Sequence, residues 1–385
     1  MTFLPNDPAS LRSYYLLDPA VTFLNHGSFG ACPIPVFQTY QQWQLELERQ
    51  PVQFMKYRIN PLLAEARDLV AAYVNAPSED CVFVPNATAG VHIASHSLSH
   101  ILQPGDEVLT STHEYGVCLT IWQDVCDRVG ARLVRVTPEL PYVSDETFIE
   151  AFWEHVTPRT KVIFLSHITS ATALTFPVQA ICARARAEGI LTLIDGAHAP
   201  GQIPLDITAI DPDYYGGNCH KWMCAPKGSG FLYVRKDRQT NIRPLYLSWG
   251  WRDDADFTTR FHEQGTRDPA SFLSIPAALT FMREHDWAVV QARSHALAQA
   301  TRQKIHDIFG MTAITPSTMP GQMTSISLPN KMGAEKLKEV LYDTCQIEIP
   351  VLEFEGQLYA RVSIQGYNTE EDAQKLVDAL EEILA

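Results

Sequence analysis

Asp213-Tyr214-Tyr215-Gly216-Gly217-Asn218-Cys219-His220-Lys221-Trp222-Met223-Cys224-Ala225-Pro226-Lys227-Gly228-Ser229-Gly230 sets a polar cluster, a lysine and a glycine turn directly before the apolar strand Phe231-Leu232-Tyr233-Val234. Lys221 is flanked by Trp222, Met223 and Cys224. Such a setting desolvates the amine, and desolvation disfavours the ammonium form, so the nitrogen becomes available as a nucleophile. That is what an aldehyde-binding lysine needs. On this stretch alone, a solvated lysine in a surface loop fits equally well.

Upstream, Leu191-Thr192-Leu193-Ile194-Asp195-Gly196-Ala197-His198-Ala199-Pro200-Gly201 reads as a buried strand that ends on an aspartate and breaks into a turn. An acid at the carboxyl end of a parallel strand points into the ligand crevice of an open α/β sheet. Asp195 and Lys221 together are the pair a pyridoxal phosphate (PLP) enzyme requires: an anion that keeps the pyridine nitrogen protonated and an amine that holds the aldehyde. These stretches resemble the class V aminotransferase family of PLP enzymes, which includes cysteine desulfurases and isopenicillin N epimerase. Within that family, Asn25-His26-Gly27-Ser28-Phe29-Gly30 resembles the epimerase branch. So does Ile347-Glu348-Ile349-Pro350-Val351, followed by Arg361-Val362-Ser363-Ile364-Gln365-Gly366-Tyr367-Asn368.

Size and charge agree with such an enzyme. A chain of 385 residues with 46% hydrophobic content is too long for one ordinary core, so two domains are expected. Apolar strands alternate with helical stretches, the pattern of a mainly parallel sheet covered on both faces. The resemblance implies the aspartate aminotransferase-like α/β fold: a large domain at 25–260 with a mainly parallel seven-stranded sheet, and a smaller α+β domain built from 1–24 and 261–385. The net charge of −14 and the lack of clustered Lys and Arg argue against a nucleic-acid partner. Eight cysteines with no C-x-x-C pair suggest neither a disulfide framework nor a zinc ribbon, and point to a reducing, cytoplasmic setting. The N-terminal residues show no signal-peptide pattern, and no apolar run reaches membrane-spanning length.

The remaining candidates follow the chain. His26 and Gly27 resemble substrate-side residues of the family; a plain strand-to-helix turn is the other reading. Pro85-Asn86-Ala87-Thr88-Ala89-Gly90 joins a strand to a helix start, where free N–H groups and a hydroxyl make an anion site. By resemblance, Ala87 and Thr88 hold the cofactor phosphate, although Asn86 or Thr88 as a simple N-cap also fits. After the strand Asp106 to Thr110, the family pattern puts Tyr115, rather than His113, over the cofactor ring. Ser170 and His198 stand where desulfurases carry the asparagine and glutamine near the cofactor's phenolic oxygen, and Asn218 and His220 flank the cofactor lysine. His167, His198 and His220 have no short-range metal spacing among themselves, so no metal is expected. Thr266 sits in a turn that the family extends to the phosphate of the neighbouring subunit, which implies a homodimer with shared sites. Arg361, on the alternating strand from Leu358, is assigned the substrate carboxylate because a planar guanidinium binds it bidentately; a surface ion pair is the other reading of an arginine on a strand.

The loop Leu352 to Gln357 has no cysteine where desulfurases carry their attacking thiol. The expected activity is therefore chemistry at the α-carbon of an amino acid or amino-acid-bearing compound, by Lys221, Asp195 and His198, as in an epimerase or aminotransferase. A PLP-dependent C–S lyase or desulfurase-like enzyme and a non-catalytic PLP carrier are the alternatives.

Overall fold

The computed structural model describes residues 3–385, so the first two residues of the 1–24 lead-in lie outside the described residues. Seven short strands form the main sheet. In chain order they are β1 (Cys81–Val84), β2 (Glu107–Ser111), β3 (Arg132–Val136), β4 (Thr160–Ser166), β5 (Leu191–Gly196), β6 (Tyr214–Asn218) and β7 (Gly230–Val234). Their spatial order is β1-β7-β6-β5-β4-β2-β3. The pairs β2/β3, β2/β4, β4/β5 and β5/β6 are parallel, and β7 runs antiparallel to both its neighbours.

Period-2 alternation explains why both faces are covered. Phe83, Leu109, Ile163, Leu165, Ile194, Tyr215 and Phe231 enter one apolar cluster. Their neighbours Val82, Val108, Val162, Phe164, Leu193, Tyr214 and Leu232 enter the other. Helices Ala87–Leu98 and Gly116–Val129 cover the second face through Val91, Leu98, Trp122 and Val125, and helices Ile59–Tyr73 and Val178–Ala187 cover the first. That first cluster continues through Ile275, Phe281, Trp287 and Val290, and helix Ile275–Glu284 packs on helices Ile34–Arg49 and Ile59–Tyr73.

A second sheet is antiparallel, with β8 (Met323–Leu328), β9 (Val351–Phe354) and β10 (Gln357–Ser363) in the order β9-β10-β8. Helices Trp287–Phe309, Ala334–Asp343 and Glu370–Leu384 pack on it. The last of these begins with a capping box between Thr369 and Asp372. The lead-in returns to this sheet, since Thr22–Phe23 pairs in parallel with Ile347–Glu348 and Leu24 joins the same apolar cluster. Among the described residues no helix is long and apolar enough to cross a membrane.

One edge of the main sheet collects the polar groups. Ser111, Ser166 and Asn218 end their strands there, Asp195 is the last residue but one of β5, and Asn86 follows the carboxyl end of β1. Ligands of open α/β sheets bind outside these strand ends.

Candidate active site

The strand ends open into a cleft of about 200 Å³, lined by Lys221, Asp195, His198, Asn218, Thr88 and Tyr115 among others. Lys221 follows β6 and lines the cleft, where desolvation and then the nearby Arg361 charge bring its amine down to about 8, with Asp195 opposing the fall. His198 Nε2 lies 3.1 Å from Lys221 Nζ. Burial, with the charges of Lys221 and Arg361, holds that imidazole well below its usual range, so it is neutral.

Asp195, the last residue but one of β5, is buried. Burial raises its carboxyl, while the Ala197 N–H at 2.9 Å and the Lys221 charge oppose the rise. Its other oxygen has only the Cys118 thiol, at 3.6 Å. Beneath it, Glu114 accepts from Ser111 Oγ at 2.6 Å and from Ser166 N and Oγ at 2.7 and 2.5 Å. Burial nevertheless pushes that carboxyl up to about 8.

At the start of helix Ala87–Leu98, Asn86 caps the Ala89 N–H at 2.8 Å. The Ala87 N–H is donated to Asn218 Oδ1 at 2.8 Å. This bond holds the helix against β6, and Thr88 is the residue of this helix start that lines the cleft. His220 donates Nδ1–H to the Ser229 carbonyl at 2.9 Å and turns the rest of its ring to the cleft. Tyr115 lines the cleft, whereas His113 is buried away from it, 2.8 Å from the Thr172 hydroxyl and edge-on to Phe354.

His26 and Gly27 are packed inward. Both lie behind the cleft wall. His26 is fully buried, with Nδ1 2.9 Å from the Tyr367 hydroxyl and Nε2 3.0 Å from the Lys221 carbonyl, and burial drives its imidazole down to about 3. A Cβ at Gly27 would come within 2.8 Å of Ser363 Oγ. The turn His26–Phe29 faces its first two residues inward, so Ser28 and Phe29 line the cleft instead.

Arg361 on β10 is buried just behind Ser28 and Ser170. Its guanidinium donates to the Ser170 carbonyl and hydroxyl at 2.8 and 3.0 Å and to Ser28 Oγ at 2.9 Å, and Nε has no partner. Among the described residues no carboxylate pairs with it, and burial lowers it to about 10. Thr266 lies elsewhere, in a separate groove of about 870 Å³ with Val52, Trp249 and Arg267. Among the described residues no His, Cys, Asp and Glu group has metal-site geometry. Ser28, Ser166 and Cys118 went unnoticed in the sequence, because a hydroxyl or thiol at a strand or helix end carries no spacing signal. Trp222 registered there only as an apolar neighbour of Lys221.

The donor set fits PLP: an amine held near neutrality, a buried carboxylate with an oxygen held only by a thiol, and a hydroxyl at a helix N-terminus. The fold and this site define a PLP-dependent α/β enzyme. The sequence matches the family model Aminotransferase class-V over residues 34–376, and the chain belongs to that family. It is similar to an isopenicillin N epimerase of Amycolatopsis lactamdurans, 36% identical over 97% of this chain and 98% of that one. It is also similar to a probable chloroplastic L-cysteine desulfhydrase of Arabidopsis thaliana, 26% identical over 94% of this chain and 83% of that one. Among solved structures, the apo cysteine desulfurase of Thermococcus onnurineus NA1 shares the fold, with a TM-score of 0.83, 19% identity and coverage of 100% and 99% of the two chains.

Proposed function

We propose that this enzyme moves a proton at the α-carbon of an amino acid or amino-acid-bearing compound, as an epimerase or aminotransferase of the isopenicillin N epimerase type. The observation that carries this reading is Arg361. A buried guanidinium that meets only neutral oxygens has lost water without gaining a counter-charge. A substrate carboxylate entering beside Ser28 and Ser170 supplies that charge and fixes Cα relative to Lys221.

When bound, PLP supplies an electron sink for the charge left at Cα. Every other part falls to the chain's own residues. Lys221 holds the cofactor and, once released, takes the Cα proton; an amine near 8 is suited to that task at neutral pH. Asp195 holds the ring nitrogen's proton. Ser170 and His198 flank the phenolic side, Tyr115 covers one ring face, and Thr88, Asn218 and His220 surround the phosphate end. Thr266 serves the partner's phosphate in a homodimer. Eight free cysteines support a reducing compartment such as the cytoplasm.

A second reading is β-elimination from a sulfur-bearing amino acid, favoured by the similarity to a desulfhydrase. It needs the same base and carboxylate site. Incubation with single-enantiomer amino acids and small peptides in D2O separates the two: exchange at Cα with inversion or amino transfer supports the first, and sulfide release supports the second. Arg361→Ala should weaken substrate binding by about 1.5–3 kcal/mol, roughly one to two orders of magnitude in KM, and leave the visible absorbance of the bound cofactor intact. If no substrate loses its Cα proton, both readings fail.

A further inference from the structure

Trp222 makes a hydrogen bond for which the function above assigns no use. Its indole Nε1–H can only donate, and it lies 3.3 Å from His198 Nδ1. His198 Nε2 in turn lies 3.1 Å from Lys221 Nζ. A neutral imidazole that accepts at Nδ1 must carry its proton on Nε2. That proton points at the lysine nitrogen, so the nitrogen has to accept it, which an amine can do and an ammonium cannot. We propose that Trp222 is a positioning residue that locks His198 in its Nε2–H tautomer and so disfavours the ammonium form of Lys221 whenever its nitrogen is not covalently engaged.

The lock is rigid. Trp222 is fully buried among Ile168, Ala173, Ala199, Ile203 and Met323. A Cβ at Gly201 would lie 2.4 Å from the Trp222 carbonyl carbon, so the chain packs against this residue without slack. The His198 carbonyl accepts from Gln202 Nε2 at 2.6 Å, which holds the histidine backbone as well. A doubly protonated His198 would aim Nδ1–H at the indole N–H, donor against donor.

The charged and titratable neighbours show what the lock opposes. Asp195 and Cys118 favour the ammonium form of Lys221, while Arg361 disfavours it, and His220 and Arg361 act against a charged His198. Without the indole N–H, His198 can put its proton on Nδ1 and accept a charge-assisted hydrogen bond from a Lys221 ammonium, which is the stronger contact. With the indole in place, a Lys221 that has just taken the Cα proton faces Nε2–H, which favours giving that proton back to a carbon of the substrate. This last step rests on the reading of Lys221 as the α-carbon base, whereas the tautomer lock itself does not.

The test uses the full-length chain freed of cofactor. With ¹⁵N-labelled histidine, the His198 ring should show an unprotonated Nδ1 and a protonated Nε2; the opposite tautomer overturns the proposal. The pKa of Lys221, read from the pH dependence of its reductive methylation by peptide mass mapping, should rise by about one pH unit in Trp222→Phe, the scale of one hydrogen bond to a charged group. The same substitution in a His198→Gln background should give no rise, because an amide can turn either its oxygen or its nitrogen to the lysine. An unchanged pKa in the single variant, or an equal rise in both backgrounds, reduces Trp222 to a packing residue and overturns the proposal. A locked tautomer in a protein that exchanges no Cα proton would instead overturn the functional reading alone.

Discussion

Lys221 carries a stability cost that its chemistry requires. Its amine sits near 8 in the folded protein, against an ordinary 10.5, because burial and the Arg361 charge disfavour the ammonium form. Between those two values the unfolded chain binds a proton that the folded chain does not, so stability rises with pH across that window; below about 8 the full cost is present. Lys221→Met should therefore raise the melting temperature of the cofactor-free protein at pH 7, and the gain should shrink as pH climbs from 8 towards 10.5. Calorimetry at the two ends of that range checks it, and a variant that melts lower at pH 7 contradicts it. At this scale the sequence was informative where chemistry and chain position coincide. Lys221 and Asp195 stand out because an amine beside an apolar run and an acid ending a strand are local patterns. The inward turn of His26 and the commitment of the Ala87 N–H to Asn218 are not local, since each depends on a partner more than a hundred residues away.

At the scale of elements, β6 was the strand least visible in the sequence. Tyr214-Tyr215-Gly216-Gly217-Asn218 offers two glycines and an asparagine where strands favour branched and aromatic residues. The glycines answer to packing on the two sheet faces, which a one-dimensional pattern does not contain. On one face, a Cβ at Gly216 would rest 3.6 Å from the Ala87 carbonyl, an ordinary contact with the start of helix Ala87–Leu98. On the other, a Cβ at Gly217 would fall 2.4 Å from the Phe231 ring, which is itself buried and stacked on Tyr215. Adjacent glycines should then respond in opposite ways. Gly217→Ala should destabilise by about 1–3 kcal/mol through overpacking, and Gly216→Ala should be neutral or gain up to about 1 kcal/mol from a stiffer unfolded chain. Urea denaturation of the two variants decides it, and equal losses would contradict the packing argument. By contrast, the cap of the last helix is a local matter, because Thr369 and Asp372 satisfy each other's backbone within one turn.

On the scale of the whole molecule, the cleft and the Thr266 groove are separate surfaces of one chain, and the second is framed by side chains that a lone subunit would leave in water. Trp249 is 88% exposed and Val52 74%. In the homodimer proposed above, this patch is the face that a two-fold partner would cover, bringing its own cleft up to Thr266 and Arg267. Shared sites make a specific demand on mixtures of inactive chains. Lys221→Ala lacks the amine but keeps the turn, whereas Thr266→Ala with Arg267→Ala keeps the amine but lacks the turn. In a hybrid dimer one site inherits both defects and the other neither. Random mixing makes half the dimers hybrid, so activity should return to roughly a quarter of the wild-type value per chain. Native mass spectrometry can confirm that hybrids have formed, and hybrids without activity would mean that each cleft is completed by its own chain.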